Sequence, residues 1–342
     1  MIWPAVVDRP LASFLRAYPS VPEELLRPDV AGTLLARAEL HGVAGVVEDA
    51  LLAAGGVLPI EVAARRAARD LDHGAHLALL RSVDRALEGA GVRGVVLKGP
   101  LLAERLYPRP SARATSDVDL LVEDRALDQA ARALETVGYR RADGADEARL
   151  REEHHHLHLE HERSLPLELH FHAYRGFGAL LASEPLVARS VASPVAEHRA
   201  LRVLSPEDEL TFLSVHAAAH RFVRLGWLFD LKLLASEMSH GQIALAADRA
   251  RRAGFARALA WAGELLVGVL GVPREHLSPL GAIGPLRRPL VRRVTAEPPR
   301  PVLRSATRFL YTLSLCDSLP AALRYAKSST ADHARRLLGG AG

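Results

Sequence analysis

A short stretch of alternating acidic and apolar residues limits what the centre of this chain can form. Residues 117–122 read Asp-Val-Asp-Leu-Leu-Val, with the period of two that is typical of a β-strand. Asp117 and Asp119 therefore project from one face, and the alternate apolar residues face a core. Neighbouring carboxylates repel each other unless they share a cation, and Mg²⁺ favours one or two carboxylates together with substrate phosphates. The pattern predicts a strand that presents a metal-binding pair.

A second strand is predicted just upstream, ending in a glycine turn. The Val-rich residues 92–97 precede Lys98 and Gly99, and a helix opened by a proline is predicted over 100–107. Backbone N–H groups at such a turn favour an anion, and Lys98 adds a positive charge. Arg113, in the loop before the aspartates, is predicted to make a bidentate phosphate contact. We expect Lys98, Gly99 and Arg113 to bind phosphate.

A hairpin is predicted downstream, with strands at 154–162 and 167–172 joined by a loop at 163–165. Leucines alternate with His and Glu, so Glu168 is expected on the same face as the aspartates. With this loop, Glu160 lies opposite Glu168, and His158 opposite His170. We expect Glu168 to be the third carboxylate, with Glu160 as the rival.

Histidines are concentrated in the same hairpin, where seven of the 16 in the chain lie between residues 154 and 172. One interpretation is a zinc or other transition-metal site built from His156, His158, His170 and His172. The other is a polar strand face beside the acids, where His156 or His170 contacts phosphate or the acceptor substrate.

A further polar set falls on the predicted helical segment 206–238, which Ser205 and Asp208 open as a capping pair. His216 and His220 are four residues apart and share a helix face, and Asp230 follows. These three residues are expected either to line a cleft or to form a structural hydrogen-bond network between helices. Trp227 is read as core in preference to a base-stacking platform.

Composition defines the broad class of protein. The 342 residues are 49% hydrophobic and carry a net charge of only +4, so neither disorder nor a strongly basic DNA-binding surface is expected. The single Cys316 excludes an internal disulfide, and no long apolar run predicts a membrane span, so a cytoplasmic location is expected. Helical periodicity flanks the centre. We predict an α+β fold with an N-terminal helical region at 1–91, a small mixed-sheet core at 92–175 and a C-terminal helical domain at 176–342.

The motifs together resemble those of the DNA polymerase beta-like nucleotidyltransferase superfamily. Within it the chain is similar to an uncharacterised bacterial family with a Leu-Lys-Gly turn and an Arg…Asp-Ile-Asp-Leu-Leu-Val strand. The likeness covers about residues 30–240 and includes the segments Tyr107-Pro108, Gly138-Tyr139, Leu167-Glu168-Leu169-His170 and His216…His220…Trp227…Asp230. The wider superfamily has Gly-Ser or Gly-Gly at the turn, whereas this chain has Gly99-Pro100.

The resemblance implies transfer of a nucleoside monophosphate from a nucleoside triphosphate to an acceptor hydroxyl or similar group, with release of pyrophosphate. Asp117, Asp119 and Glu168 are then expected to hold Mg²⁺ or Mn²⁺. The acceptor, a small molecule, a peptide or a protein, is not specified. Two alternatives stay open: an inactive nucleotide-binding protein of the same fold, which Gly99-Pro100 favours, and a histidine-metal hydrolase built on the 154–172 hairpin.

Overall fold

The computed structural model describes residues 9–21, 24, 27–141, 154–162, 164–284 and 301–339. Helices make up most of it, and the strands form one sheet of seven and one hairpin of two. The helices are α1 Arg9–Ala17, α2 Pro28–His41, α3 Ala44–Ala53, α4 Ile60–Gly89, α5 Pro100–Leu106, α6 Leu127–Glu135, α7 Ser183–Arg189, α8 Pro206–Ala219, α9 Leu225–Glu237, α10 His240–Ala253, α11 Ala256–Leu270, α12 Pro301–Leu315 and α13 Leu319–Gly339.

The strands confirm the predicted mixed sheet. They are β1 Gly94–Val96, β2 Val118–Leu121, β3 Arg140–Arg141, β4 His156–Glu160, β5 Leu167–His170, β6 His172–Gly176, β7 Ala179–Ala182, β8 Val191–Ala192 and β9 Leu201–Val203. The large sheet has the order β3-β4-β5-β2-β1-β9-β8, and β6 pairs with β7 separately. The sheet therefore continues beyond residue 175, where the sequence was read as returning to helix.

The length of the segment between the first two strands predicts that they are neighbours in one sheet, joined by a crossover; they are neighbours, but the segment does not cross over. β1 and β2 pair antiparallel, with Val95 opposite Leu121. The short helix α5 and its loop reverse the chain direction and return it to the neighbouring position. β2 in turn pairs parallel with β5, and β1 pairs parallel with β9.

The two faces of the sheet meet different parts of the molecule. Val118 and Leu120 are fully buried in a cluster with side chains of α4 and α6. Gly94 lies at the closest approach, since a Cβ atom there would stand 2.8 Å from Leu120 Cδ1 and 2.9 Å from Leu87 Cδ1. The opposite face carries Asp117 and Asp119, and β2 therefore buries its apolar side while presenting its acids.

The N-terminal and C-terminal helices share one hydrophobic core. Phe14 of α1 and Phe229 of α9 are both fully buried in the same apolar cluster. Lys232 ties these segments together, because its Nζ atom donates to the carbonyl of Leu15 at 2.6 Å and of Arg16 at 2.9 Å. Helices from both ends of the described chain therefore pack together in one layer. The division into three regions at residues 91 and 175 stays a prediction.

The predicted helical stretch 206–238 consists of two helices, α8 and α9. Ser205 caps the first as expected, accepting a hydrogen bond from the backbone N–H of Asp208. The break falls at 220–224, just before Gly226, where Arg221 and Phe222 adopt positive φ values of 60° and 53°. Within the described residues, no helix is long and apolar enough to cross a membrane.

Candidate active site

Lys98 and the two aspartates form the centre of the site. The Nζ atom of Lys98 lies 2.9 Å from Oδ1 of Asp117 and 2.6 Å from Oδ2 of Asp119. The shared contact shows that both carboxylates point to one side of β2. Burial lowers the pKa of Lys98, but the charges of Asp119 and Asp117 outweigh it and raise that pKa. Lys98 thus supplies a positive charge between the two aspartates. The same residue was predicted to bind phosphate.

Glu168 lies on the strand next to these acids. Parallel pairing of β2 with β5 puts Glu168 directly opposite Asp119, on the face that the leucine alternation predicts. The hydrogen bond with His170 is the main cause that lowers the pKa of Glu168. The role of Glu168 as a third metal ligand stays a prediction, and Asp119 lies directly opposite it, as that role requires.

The predicted register of the hairpin is wrong by two residues. His158, not Glu160, lies opposite Glu168, and His156, not His158, lies opposite His170. The connection occupies residues 161–166, which is longer than the loop read from the sequence. Glu160 is exposed and pairs with Arg140 of β3 at the far side of β4. It is therefore excluded as the acid beside Asp119.

His170 connects the two acidic strands. Its Nε2 atom lies 3.2 Å from Oδ1 of Asp119 and 3.4 Å from Oε2 of Glu168. Burial opposes the charged form of His170, but hydrogen bonds to both acids outweigh burial and raise its pKa to about 8. The same contact, with the charge of Lys98, overcomes burial and lowers the pKa of Asp119. His170 is thus a charged hydrogen-bond partner of both acids. The same residue was predicted to contact phosphate or the acceptor substrate.

A cluster of imidazoles stands beside this bridge. His156 packs on His170 with ring centroids 4.9 Å apart, and His155 contacts both rings, at 4.8 and 5.5 Å. Burial lowers the pKa of His155 to about 2 and of His156 to about 4. His155 was not expected at the site, because alternation in the predicted strand 154–162 puts it on the same face as Leu157; β4 begins only at residue 156, so that alternation does not hold for His155.

The proposed four-histidine metal site does not form as predicted. His158 is exposed, and His172 packs on Phe171. The ligand atoms that come within 4.8 Å of one another belong instead to His155, His156 and His170. A histidine must be neutral to bind a metal, whereas the two acids hold a proton on His170. The arrangement therefore favours His170 as a partner of carboxylates over a zinc ligand.

The glycine turn lies against the acidic strand. Gly99 has a φ of +85°, and a Cβ atom there would stand 3.3 Å from the backbone oxygen of Asp117. This left-handed conformation and close approach explain why glycine follows Lys98. The turn brings the Lys98 side chain to the carboxylates. Phosphate binding by Gly99 itself stays a prediction.

Arg113 is engaged inside the protein, which corrects its predicted role at phosphate. Its guanidinium lies 2.9–3.2 Å from both oxygens of Asp230, and Tyr107 donates its hydroxyl to the same carboxylate at 2.7 Å. Arg113 and Asp230 are nearly fully buried. Burial opposes the charge on Arg113, yet Asp230 raises its pKa further. Asp230 is therefore a structural anchor between α9 and the loop before Asp117.

His216 and His220 reach the site from the helical layer. Their rings are 4.8 Å apart, and Trp227 contacts both. Burial, followed by the charge of Lys98, lowers the pKa of His216 to about 3. Burial is also the main cause that lowers the pKa of His220, and the charges of Lys98, Glu168 and Asp117 act on the same pKa. The structure thus separates the predicted trio: the histidines lie within electrostatic range of Lys98 and the acids, and Asp230 holds Arg113.

The donor set fits a hard divalent cation. Asp119 and Glu168 each place a carboxylate oxygen within 4.8 Å of the other and of His170, whose charge makes it a partner of these acids and not a ligand. Asp117 is joined to this group through Lys98. Mg²⁺ prefers one or two carboxylates plus substrate oxygens. Asp119 and Glu168 provide such carboxylates on neighbouring strands, and the site is more exposed at Asp117.

The mixed sheet thus carries an Asp-x-Asp strand beside a strand with an acid at the same level, as the resemblance to nucleotidyltransferases led us to expect. Comparison with protein families agrees, since a model described as uncharacterised nucleotidyltransferase matches residues 29–271. The chain belongs to that family. The matched segment runs from α2 to the end of α11 and contains every residue of the site.

Comparison with solved structures finds the antibiotic-resistance factor ANT(2'')-Ia among the matches. It is 15% identical, the alignment covers 53% of this chain and 94% of that chain, and the TM-score is 0.39. At this distance the likeness says nothing about the substrate of the present chain. No curated protein sequence matches significantly.

Proposed function

We propose that the protein transfers a nucleoside monophosphate from a nucleoside triphosphate to an acceptor hydroxyl or similar group. The observation that carries the proposal is the direct opposition of Asp119 and Glu168 on neighbouring parallel strands, with Asp117 beside them. Family membership supports nucleotidyl transfer in general. The nucleotide, the metal and the acceptor are parts of the proposal.

In the proposed reaction, an acceptor oxygen forms a bond to the α-phosphorus of the nucleotide. The bond from that phosphorus to the oxygen bridging the β-phosphate breaks, pyrophosphate leaves with the bonding electrons, and the acceptor proton passes to water. Asp117, Asp119 and Glu168 would hold Mg²⁺ or Mn²⁺, which when bound neutralises the charge developing on the phosphate oxygens.

The side chains of the protein organise this centre. His170 donates toward Asp119 and Glu168 and keeps both ionised and oriented. Lys98 neutralises the aspartates, and its ammonium would turn toward a phosphate oxygen if a cation were bound between them. His156 is uncharged and packs on His170, so it limits the access of water to the buried side of the acids.

Pyrophosphate release tests the proposal, with the protein itself included as a possible acceptor. Wild type should release pyrophosphate from a nucleoside triphosphate when Mg²⁺ or Mn²⁺ is present, and Glu168→Gln should lose at least about 100-fold in rate. Glu160→Gln is the matched control, because Glu160 is exposed on the neighbouring strand. Equal rates in the two variants would refute the assignment of Glu168. Binding of metal and nucleotide without release would identify an inactive binding protein instead.

A further inference from the structure

A group of flat side chains lies where α8 meets α9. His216 and His220 lie at the C-terminal end of α8, and Trp227 lies in the first turn of α9. Ring centroids are 5.3 Å apart for His216 and Trp227, and 5.1 Å apart for His220 and Trp227. The guanidinium carbon of Arg224 stands 5.7 Å from the centroid of Trp227. We call these four side chains, three rings and the guanidinium beside them, the aromatic wall.

Named contacts fix the aromatic wall relative to the acidic strand. Asp230 lies one helical turn after Trp227 and is bound to Arg113, which comes four residues before Asp117. The side chains of the wall are also near enough for Lys98 and Asp119 to act on His216 electrostatically. Arg113 also contacts the backbone oxygen of Gly99, so the side of α9 that carries Trp227 and Asp230 packs toward the turn beside the acidic strand.

The link between the two helices is held in an unusual backbone conformation. Arg221 and Phe222 both have positive φ, which is costly for bulky residues. The backbone N–H of Phe222 donates to the carbonyl of Ala217 at 2.7 Å, and the Tyr311 hydroxyl donates to that of Ala218 at 2.7 Å. Backbone strain of this kind persists where the surroundings enforce it, and it is concentrated at ligand sites.

The aromatic wall lies at the edge of the core, against which Trp227 packs. Trp227 and His216 are only partly buried, and His220 is exposed. By contrast Trp261, which packs edge-on against Tyr311 at 5.5 Å, is almost completely buried. Partly exposed planar rings with a cation beside them are the features of a stacking site.

We propose that the aromatic wall binds the base of the nucleotide whose phosphates lie at Asp117, Asp119 and Glu168. The inference rests on the proposed function and adds to it the place of the base. Indole, imidazole and guanidinium planes stack on any nucleobase, because every base has a π-face. The wall therefore contributes affinity with little discrimination between purine nucleotides.

Tryptophan fluorescence provides the test. The full-length protein is titrated, with Mg²⁺ present, with ATP and GTP analogues that carry a methylene group between the α- and β-phosphates. Quenching should saturate in wild type and in Trp261→Phe, and it should disappear in Trp227→Leu. Calorimetry should show about tenfold or greater loss of affinity in Trp227→Leu. Trp227→Phe keeps an aromatic plane and should bind within a few-fold of wild type.

Inorganic tripolyphosphate separates the base from the phosphates. It should bind wild type and Trp227→Leu with equal affinity, which also shows that the variant is folded. If the analogue binds both proteins equally and Trp227 fluorescence does not change, the stacking site is refuted and the proposed function survives. If the analogue does not bind wild type at all, both are refuted.

Discussion

The Nζ atom of Lys98 lies 2.6 Å from Oδ2 of Asp119, in the most buried part of the acidic site. The same ammonium contacts Asp117, so one lysine neutralises two acids whose repulsion would otherwise destabilise this end of β2. A divalent cation bound there has to compete with a charge that the protein already provides. Lys98 therefore links the stability of the fold to occupation of the site.

Replacing Lys98 with Met should destabilise the metal-free protein by about 3 kcal/mol, because it leaves Asp117 without a cation and the buried Asp119 with only His170. Added Mg²⁺ should then raise the melting temperature of Lys98→Met more than that of wild type, since it restores the missing charge. Lys327→Met, at an exposed helical position, serves as the control. An identical response of all three proteins to Mg²⁺ would show that the metal does not bind between these acids.

The buried pair of Arg113 and Asp230 should dominate the stability of the α9 junction. Asp230→Asn leaves the guanidinium of Arg113 buried without its counter-charge and should cost about 3–5 kcal/mol in the free energy of unfolding. Tyr107→Phe removes one hydrogen bond to the same carboxylate and should cost only about 1 kcal/mol. Urea unfolding of both variants measures the difference. Similar losses would mean that Arg113 finds another partner.

Two glycines at the ends of one turn should respond in opposite directions to alanine. Gly94→Ala places a methyl group against Leu120 and Leu87 and should destabilise the protein by about 1–3 kcal/mol. Gly89→Ala lies at the end of α4 with no heavy atom within 4 Å of the new Cβ, and it should stabilise by about 0.4–1 kcal/mol. Thermal unfolding checks both signs. A stabilising Gly94→Ala would contradict the packing described for β1.

The sequence was sufficient to predict what depends on local periodicity. Alternation along β2 and β5 put Asp119 and Glu168 on one face, and the structure places them opposite each other. Hairpin register was not predictable in the same way, because the length of the connection at 161–166 decides it. The observed register differs from the predicted one by two residues and places Glu160 away from the acids. Periodicity says which face a residue occupies, whereas register needs the turn.

Contacts between distant segments explain the other corrections. Arg113 was read as a phosphate ligand, since the acids near it in the sequence were assigned to a metal, and its partner Asp230 follows 117 residues later. Strand β9 was missed because Leu201–Val203 is only three residues long, and pairing with β1 makes it a strand. Tertiary pairing of this kind leaves little trace in local composition.

Binding of Mg²⁺ together with a nucleoside triphosphate analogue is the measurement that most directly tests the central claim. Calorimetry on wild type, Asp119→Asn and Glu160→Gln, with the α–β methylene analogue, compares an acid of the site with an exposed acid of the same sheet. We expect wild type and Glu160→Gln to bind metal and nucleotide with equal affinity, and Asp119→Asn to fold while losing at least about 100-fold in affinity. Equal binding by all three proteins would show that Asp119 is an ordinary buried acid paired with Lys98, and it would contradict the nucleotidyltransferase assignment of the site.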